Sequence, residues 1–423
     1  MQCCLQERAR HLDSRWVVGV FAALMIPFFP PEIIHHLGTS FLIDGYAWGG
    51  MASAALCFLC YAVFGRKDVF SLAGVGISIL ILISTITRDG ALNLWFSKWL
   101  PCCASVMLVA SFGRTHTREL LWALFLVTFG LSVTNLASVL LMPEGVYATS
   151  GTAQSGNFLY GNKDSFYRIL FPALCASCAL DALSGRWVSL RSAIVLVVAV
   201  MSVVLATSAA TLMALGFFVI GLLCTRWCTL RRYLNGISVT AGGVAAFLAI
   251  VVFRLQHLFD FLIVDVLGKS LTFTGRTLIW DKVFELSGLR GLFFGRGVSG
   301  YRELVVDGRQ YYHAHDGVLD LWLNGGLMSL LFLAIMACLV ALVLYRFRRQ
   351  REAGVYAIAL GAFYLNGITE PIVCASLLMI LSLAYYSFAS VSPDQRCAKS
   401  PSCNLSSERG FGCAGAIDLH MSS

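Results

Sequence analysis

Four stretches of this chain hold residues whose types and spacing could do chemistry. The first is Thr274-Gly275-Arg276-Thr277, followed by apolar residues at 278, 279, 283, 284 and 286 with Asp281, Lys282 and Glu285 between them. That period is helical and predicts an amphipathic helix fit to lie on a membrane surface. Arg276 stands just before it, where the backbone N–H groups of a helix start favour an anion and a guanidinium adds donors that match phosphate oxygens. The second is Tyr311-Tyr312-His313-Ala314-His315-Asp316, where an imidazole beside a carboxylate is placed to take a proton from a hydroxyl group. The third is Asn162-Lys163-Asp164 with Arg168 close behind, and the fourth is Asn366 with Glu370-Pro371. An anion site with a base beside it is what displacement of a phosphate leaving group requires.

Plainer readings of the same residues stay open. Arg276 also fits a loop arginine held by a carboxylate such as Asp281. His313 and His315 would need further ligands spaced with them to hold a metal, and with Tyr311 and Tyr312 they also fit an interface anchor. Arg168 and Glu370 suit snorkelling and capping at helix ends, and Arg88 and Lys98, flanking Trp95 and Trp99, read as a snorkelling belt. Gly295-Arg296-Gly297-Val298-Ser299-Gly300 spells a dinucleotide fingerprint, yet no strand-turn-helix unit surrounds it, so its glycines read as turns that fold the loop back over the bundle. The cysteine pairs 57/60, 175/178 and 224/228 fall inside predicted helices as small apolar side chains, not as a metal site.

Composition sets what must position these residues. Of 423 residues, 58% are apolar and only 13% charged, with a mean hydropathy of +0.77. An ordinary soluble domain carries about 25% charged residues, so a soluble core, a disordered chain and a secreted disulfide scaffold are all excluded. The expected fold is an all-α polytopic membrane protein of about 12 transmembrane helices with one large extracytoplasmic loop between helices 9 and 10. Apolar runs place the spans near 16–34, 47–64, 69–87, 97–113, 119–142, 165–183, 187–207, 209–225, 236–253, 317–345, 354–370 and 372–391.

The resulting domains are a cytoplasmic N-terminus 1–15, transmembrane helices 1–9 over 16–253, an extracytoplasmic catalytic loop 254–316, helices 10–12 over 317–391, and a disordered cytoplasmic tail 392–423. Cationic residues collect in alternate short loops, among them Arg66 with Lys67, Arg114 with Arg118, and Arg346 with Arg348 and Arg349. That bias puts both termini in the cytoplasm and makes the net charge of +8 mostly a matter of topology, with no nucleic-acid partner implied. The first span is expected to stay as a signal anchor.

Together, Thr274-Gly275-Arg276-Thr277-x-x-Trp280, the Gly295-x-Gly297 turn and Ala314-His315-Asp316-Gly317-x-Leu319-Asp320-x-x-Leu323-Asn324-x-Gly326-Leu327 resemble the signature of the O-antigen ligase and polymerase superfamily, most closely its exopolysaccharide polymerase branch. The resemblance implies a glycosyltransferase of the bacterial inner membrane that works on the periplasmic face. Its donor would be an undecaprenyl-diphosphate-linked oligosaccharide, with the lipid bilayer and other polysaccharide export proteins as partners, and with no cofactor or metal. It makes Arg276 the diphosphate-binding arginine and His315 the candidate base; beyond the resemblance, Asp316 is expected to orient His315, Arg168 and Lys163 to serve as further cations, and Glu370 and His313 to lend support. The chain departs from the family at Asp316, where an asparagine is usual and a carboxylate would raise the imidazole pKa. It departs again at Thr207-Ser208-Ala209-Ala210-Thr211, where many members carry an arginine, so either Arg168 supplies the second cation or one arginine serves alone. A ligase acting on lipid A or protein, a transporter or flippase, and a scaffold of an export complex are the competing functions.

Overall fold

The computed structural model describes residues 2–147, 156–255, 275–288, 291–298 and 303–388. The run from His257 through Leu267, Thr274, Gly300 and the expected tail from 392 lie outside the described residues. The helices are α1 (Gln2–Met25), α2 (Ser40–Phe64), α3 (Val69–Thr87), α4 (Leu92–Phe112), α5 (Thr117–Leu141), α6 (Tyr167–Leu183), α7 (Leu190–Leu205), α8 (Ala209–Cys224), α9 (Cys228–Tyr233), α10 (Gly236–Phe247), α11 (Arg276–Leu286), α12 (Gly317–Arg346), α13 (Arg351–Asn366) and α14 (Ala375–Tyr386). Two short antiparallel hairpins, β1–β2 (Asn157–Phe158 with Gly161–Asn162) and β3–β4 (Val305–Val306 with Arg309–Gln310), sit between helices.

Helix ends follow local chemistry. Asp68 caps α3 by accepting from the Ser71 N–H at 3.0 Å, and Asn235 closes a capping box at the start of α10. The first expected span stops at Met25 rather than 34, because Pro27, Pro30 and Pro31 supply no N–H to continue it. The expected helix 354–370 ends at Asn366, so Glu370 stands in the turn before α14, ahead of Pro371, which disfavours helical backbone in the residue before it.

Six of the described helices are long and apolar enough to cross a membrane: Ser40–Phe64, Val69–Thr87, Leu92–Phe112, Thr117–Leu141, Lys163–Leu183 and Gly317–Arg346. Five more apolar helices are shorter, including Leu190–Leu205 and Ala209–Cys224. A helix of that shorter kind reaches about 24 Å, less than the ~30 Å hydrocarbon layer, so length alone supports fewer spans than the expected twelve. Thr207 takes a left-handed backbone with φ +56° and divides α7 from α8, where the expected spans 187–207 and 209–225 part.

The protein is a membrane protein by its surface as well as its helices. α2 exposes Phe41, Trp48, Leu56, Phe58, Leu59 and Val63, a face suited to lipid and not to water. α13 and α14 are buried on nearly every face and are accordingly apolar all round, forming the centre with α4 and α6.

One irregularity interrupts the long helix α12. α12 breaks at Gly326, which has φ +68° and ψ −172°. The segment 291–298 fills the break: Arg296 and Gly297 donate N–H bonds to the Leu323 and Asn324 carbonyls at 2.8 and 2.9 Å, while the Leu327 and Met328 N–H groups donate to Leu292 and Phe293 at 2.8 and 3.1 Å. Backbone freed by the break is thus paired inside protein, the condition for irregular structure at membrane depth. A Cβ on Gly326 would lie 2.3 Å from Phe293 backbone atoms, so the approach requires glycine.

Candidate active site

The histidine turn is built by the start of α12. Asp316 Oδ1 accepts the Val318 and Leu319 N–H groups at 2.9 and 2.8 Å, an N-cap that fixes the helix entry. His315 then reverses the chain with φ +50°, a left-handed conformation that costs a non-glycine residue of order 1 kcal/mol or more. Neighbours hold it there. The Gly317 N–H donates to the Gly367 carbonyl at 2.7 Å, the Ala314 N–H to Asp320 Oδ1 at 3.3 Å, and the Trp280 indole to the His315 carbonyl at 3.4 Å. The other Asp320 oxygen accepts from Lys98 Nζ at 2.9 Å.

The two imidazoles touch, with ring centroids 3.9 Å apart. The Nδ1 atom of each is buried and makes no hydrogen bond among the described residues. Burial pushes His313 down to about 3, aided by the positive charges of Lys98, Arg168 and Arg276. His315 is held well below the usual histidine range by burial, then by His313 and Arg276, against the opposing pull of Asp320. Both rings are therefore neutral near pH 7. The expected pairing of Asp316 with His315 does not form: one carboxylate oxygen is occupied as the cap, the other makes no hydrogen bond among the described residues, and His315 is shifted down, not up. The N-cap geometry explains this, since the cap side chain must fold over its own helix start.

The anion side is assembled from three other elements. Gly275, at φ +88°, leads into α11, and Arg276 is its first residue rather than the residue before it. Arg276 Nη2 donates to Glu370 Oε1 at 2.6 Å and lies 3.9 Å from Asp164 Oδ2. Asp281 is taken instead by Arg254, at 2.6 Å, whose guanidinium also covers the Trp280 ring. α11 buries Ile279, Trp280 and Val283 against the protein, where the indole meets the histidine turn, and leaves the apolar Leu278 and Phe284 exposed.

Arg168, in the first turn of α6, donates from Nε to the Tyr167 hydroxyl at 3.3 Å, and that hydroxyl donates to the Pro371 carbonyl at 2.7 Å. The Ser376 hydroxyl closes the link by donating to the Arg168 carbonyl at 2.5 Å. The turn carrying Glu370 is therefore tied to the helix carrying Arg168. Burial pushes the Glu370 carboxyl up to about 8, with Arg276 pulling it back, Asp164 pushing the same way as burial, and Arg168 opposing. Asp316 is likewise raised to about 8 by burial, against the pull of its two backbone bonds.

Lys163 stands at the rim, donating to Thr207 Oγ1 at 3.3 Å. Its neighbour Asp164 accepts from the Ser208 hydroxyl at 2.7 Å, Ser208 lies 3.0 Å from Thr211 Oγ1, and Thr211 donates to Asn366 Oδ1 at 3.3 Å. A ladder of hydroxyl groups thus occupies the stretch where the resemblance leads one to look for an arginine.

An apolar cavity of about 360 Å³ is lined by Phe247, Leu248, Leu330, Leu333 and Leu377, and also by Gly317 and Ile372, which lie one and two residues from Asp316 and Glu370 in sequence. Among the described residues, no three His, Cys, Asp or Glu side chains converge as a metal site would require. The sequence reading missed Lys98 and Asp320 as site residues. Asp320 was visible one helical turn after Asp316, but nothing in the sequence brings α4 to it, and Lys98 read as a belt residue.

The structure thus gathers His313, His315, Arg276, Arg168 and Glu370 with Lys98, and sets Lys163 at the edge. Residues 194–334 match the sequence model of the O-antigen ligase family, a stretch that holds Arg276, His313, His315, Asp316 and Asp320 while Lys98, Lys163, Arg168 and Glu370 come from outside it. No curated protein and no solved structure matches the chain. The stretch around the histidine turn, residues 194–334, is thus similar to the O-antigen ligase family, and the match covers about a third of the chain.

Proposed function

We propose that the protein polymerises undecaprenyl-diphosphate-linked oligosaccharide repeat units into exopolysaccharide or O-antigen on the periplasmic face of the bacterial inner membrane. The observation that carries this reading is the meeting of Arg276 and Arg168 around Glu370, beside two neutral imidazoles, with an apolar cavity that reaches Gly317 and Ile372. The two arginines, with Lys163 at the rim, suit the donor diphosphate, and the cavity suits the first isoprene units of its carrier. Twelve membrane crossings with both termini cytoplasmic would put this end of the bundle outside.

His315 takes the proton of the acceptor hydroxyl as that oxygen attacks the anomeric carbon and the bond to the diphosphate oxygen breaks. The sugar inverts in one displacement, and the departing diphosphate stays on the arginines. Arg276 lowers the proton affinity of His315, so the negative charge of a bound donor raises it again. The base is thereby readied when the donor arrives. Asp316 and Asp320 act on His315 through the backbone of its turn. A ligase that passes the glycan to lipid A or protein is the second reading, favoured by the O-antigen ligase match itself.

The test is a gel profile of surface polysaccharide and lipid-linked intermediates from a deletion strain carrying the intact chain or Arg276→Ala. A polymerase gives single repeat units held on the carrier and no long polymer in the variant. A ligase gives long lipid-linked polymer that is never attached, and unchanged profiles in both would refute an enzyme of either kind.

A further inference from the structure

Arg276 sits in a balance of charge that a diphosphate would upset. Its guanidinium faces Glu370 at 2.6 Å and Asp164 at 3.9 Å, and the Glu370 side chain is only 7% exposed. The groups that bear on Glu370 are Arg276 from α11, Asp164 from the loop after β2, and Arg168 from α6, with the Tyr167 hydroxyl beside them. Counting Lys163 at the rim, three cations meet two carboxylates. A diphosphate diester brings two negative charges, which leaves the site one negative charge in excess unless a carboxylate is neutralised. A buried carboxylate that loses its guanidinium is costly to keep ionised.

We propose that Glu370 holds the place of a donor phosphate on Arg276, and that donor binding exchanges carboxylate for phosphate while Glu370 takes up one proton from solvent. The inference rests on the anion-site reading above. Above about pH 8, where Glu370 is ionised, the exchange breaks the Arg276 N–H bond to Glu370 Oε1, forms an N–H bond to a phosphate oxygen, and passes the solvent proton to the freed carboxylate. The upward push of burial on Glu370 agrees with this, because release from Arg276 removes the main interaction that holds it ionised.

Isothermal titration of the full chain in lipid nanodiscs with farnesyl methyl diphosphate, a diester that keeps its two negative charges throughout this pH range, tests the exchange. Repeating the titration in buffers of different ionisation enthalpy counts protons. The intact chain should take up close to one proton per diester near pH 9 and almost none near pH 6, where the carboxyl is already protonated. Glu370→Gln should bind about tenfold more tightly, with no uptake near pH 9. Binding without proton uptake near pH 9 overturns the exchange and leaves the anion site standing. Uptake that is largest on the acid side assigns the proton to the histidines and also overturns it. Binding that Arg276→Ala leaves unchanged removes the anion site itself, and the exchange with it. The proton count on the intact chain needs no variant, so the proposal stays exposed if Glu370→Gln fails to accumulate.

Discussion

Replacing Asp316 by asparagine should leave the protein folded and active, whereas replacing it by alanine should cost about 2 kcal/mol and most of the activity. The difference follows from what the side chain does. Its Oδ1 accepts two N–H groups at the start of α12, and an asparagine oxygen accepts both equally well. Alanine loses the cap, worth about 1 kcal/mol, and leaves the buried Leu319 N–H without its acceptor, which adds about 1 kcal/mol or more. It also releases the turn that holds His315 at φ +50°. The pH dependence has a definite sign. Burial raises the Asp316 carboxyl from 3.8 to about 8, so between those values the folded chain keeps a proton that the unfolded chain gives up. Stability from this group is present in acid and is lost as pH rises through about 8; the asparagine variant lacks that slope. Thermal unfolding of the purified protein across that range, together with polymer profiles of complemented strains, measures both effects. If Asp316→Asn unfolds like the intact chain yet is as inactive as His315→Ala, the carboxylate acts in the chemistry and the capping argument is wrong.

Three further outcomes are expected. Trp280→Ala should cost about 3–5 kcal/mol of local stability by emptying the contact between α11 and the histidine turn, and protease digestion in membranes should then cut the 275–288 region faster. Asp320→Ala should lower the turnover rate by at least about tenfold at unchanged abundance, because Ala314 and Lys98 lose their shared acceptor, with Asp320→Asn recovering part of it; equal activity of both variants would argue against a positioning role. Gly326→Ala should abolish accumulation of the protein, since φ +68° and a Cβ 2.3 Å from Phe293 cannot both be relieved; immunoblots of membranes decide it.

Much of the bundle was legible because apolar runs of membrane length leave few alternatives, and each expected span has a helical counterpart among the described residues. The ends were less legible. Helix stops at Met25 and Asn366 depend on prolines whose effect on neighbours is easy to underrate, whereas the division between α7 and α8 at Thr207 agrees with the expected spans. At the site, Arg276 and His315 stood out because of their motif, but the identity of the Arg276 partner did not: Asp281 was five residues away in sequence and Glu370 far off, yet the structure pairs Arg276 with Glu370. Likewise the carboxylate next to His315 was the obvious orienting group, and helix capping claimed it. Local spacing names the groups, while charge pairing across α4, α6, α11 and the turn before α14 is a property of the packed bundle.

The 291–298 segment threaded through the α12 break makes that part of the long loop and the helix bundle a single cooperative object. A chimera that imports a relative's loop while keeping this chain's helices would leave the carbonyls of Leu323 and Asn324 facing a foreign backbone in a place that water does not reach. Exchange of acceptor preference between relatives should therefore succeed only when the first half of α12 travels with the loop, and libraries built on loop replacement alone would be enriched in chains that never assemble.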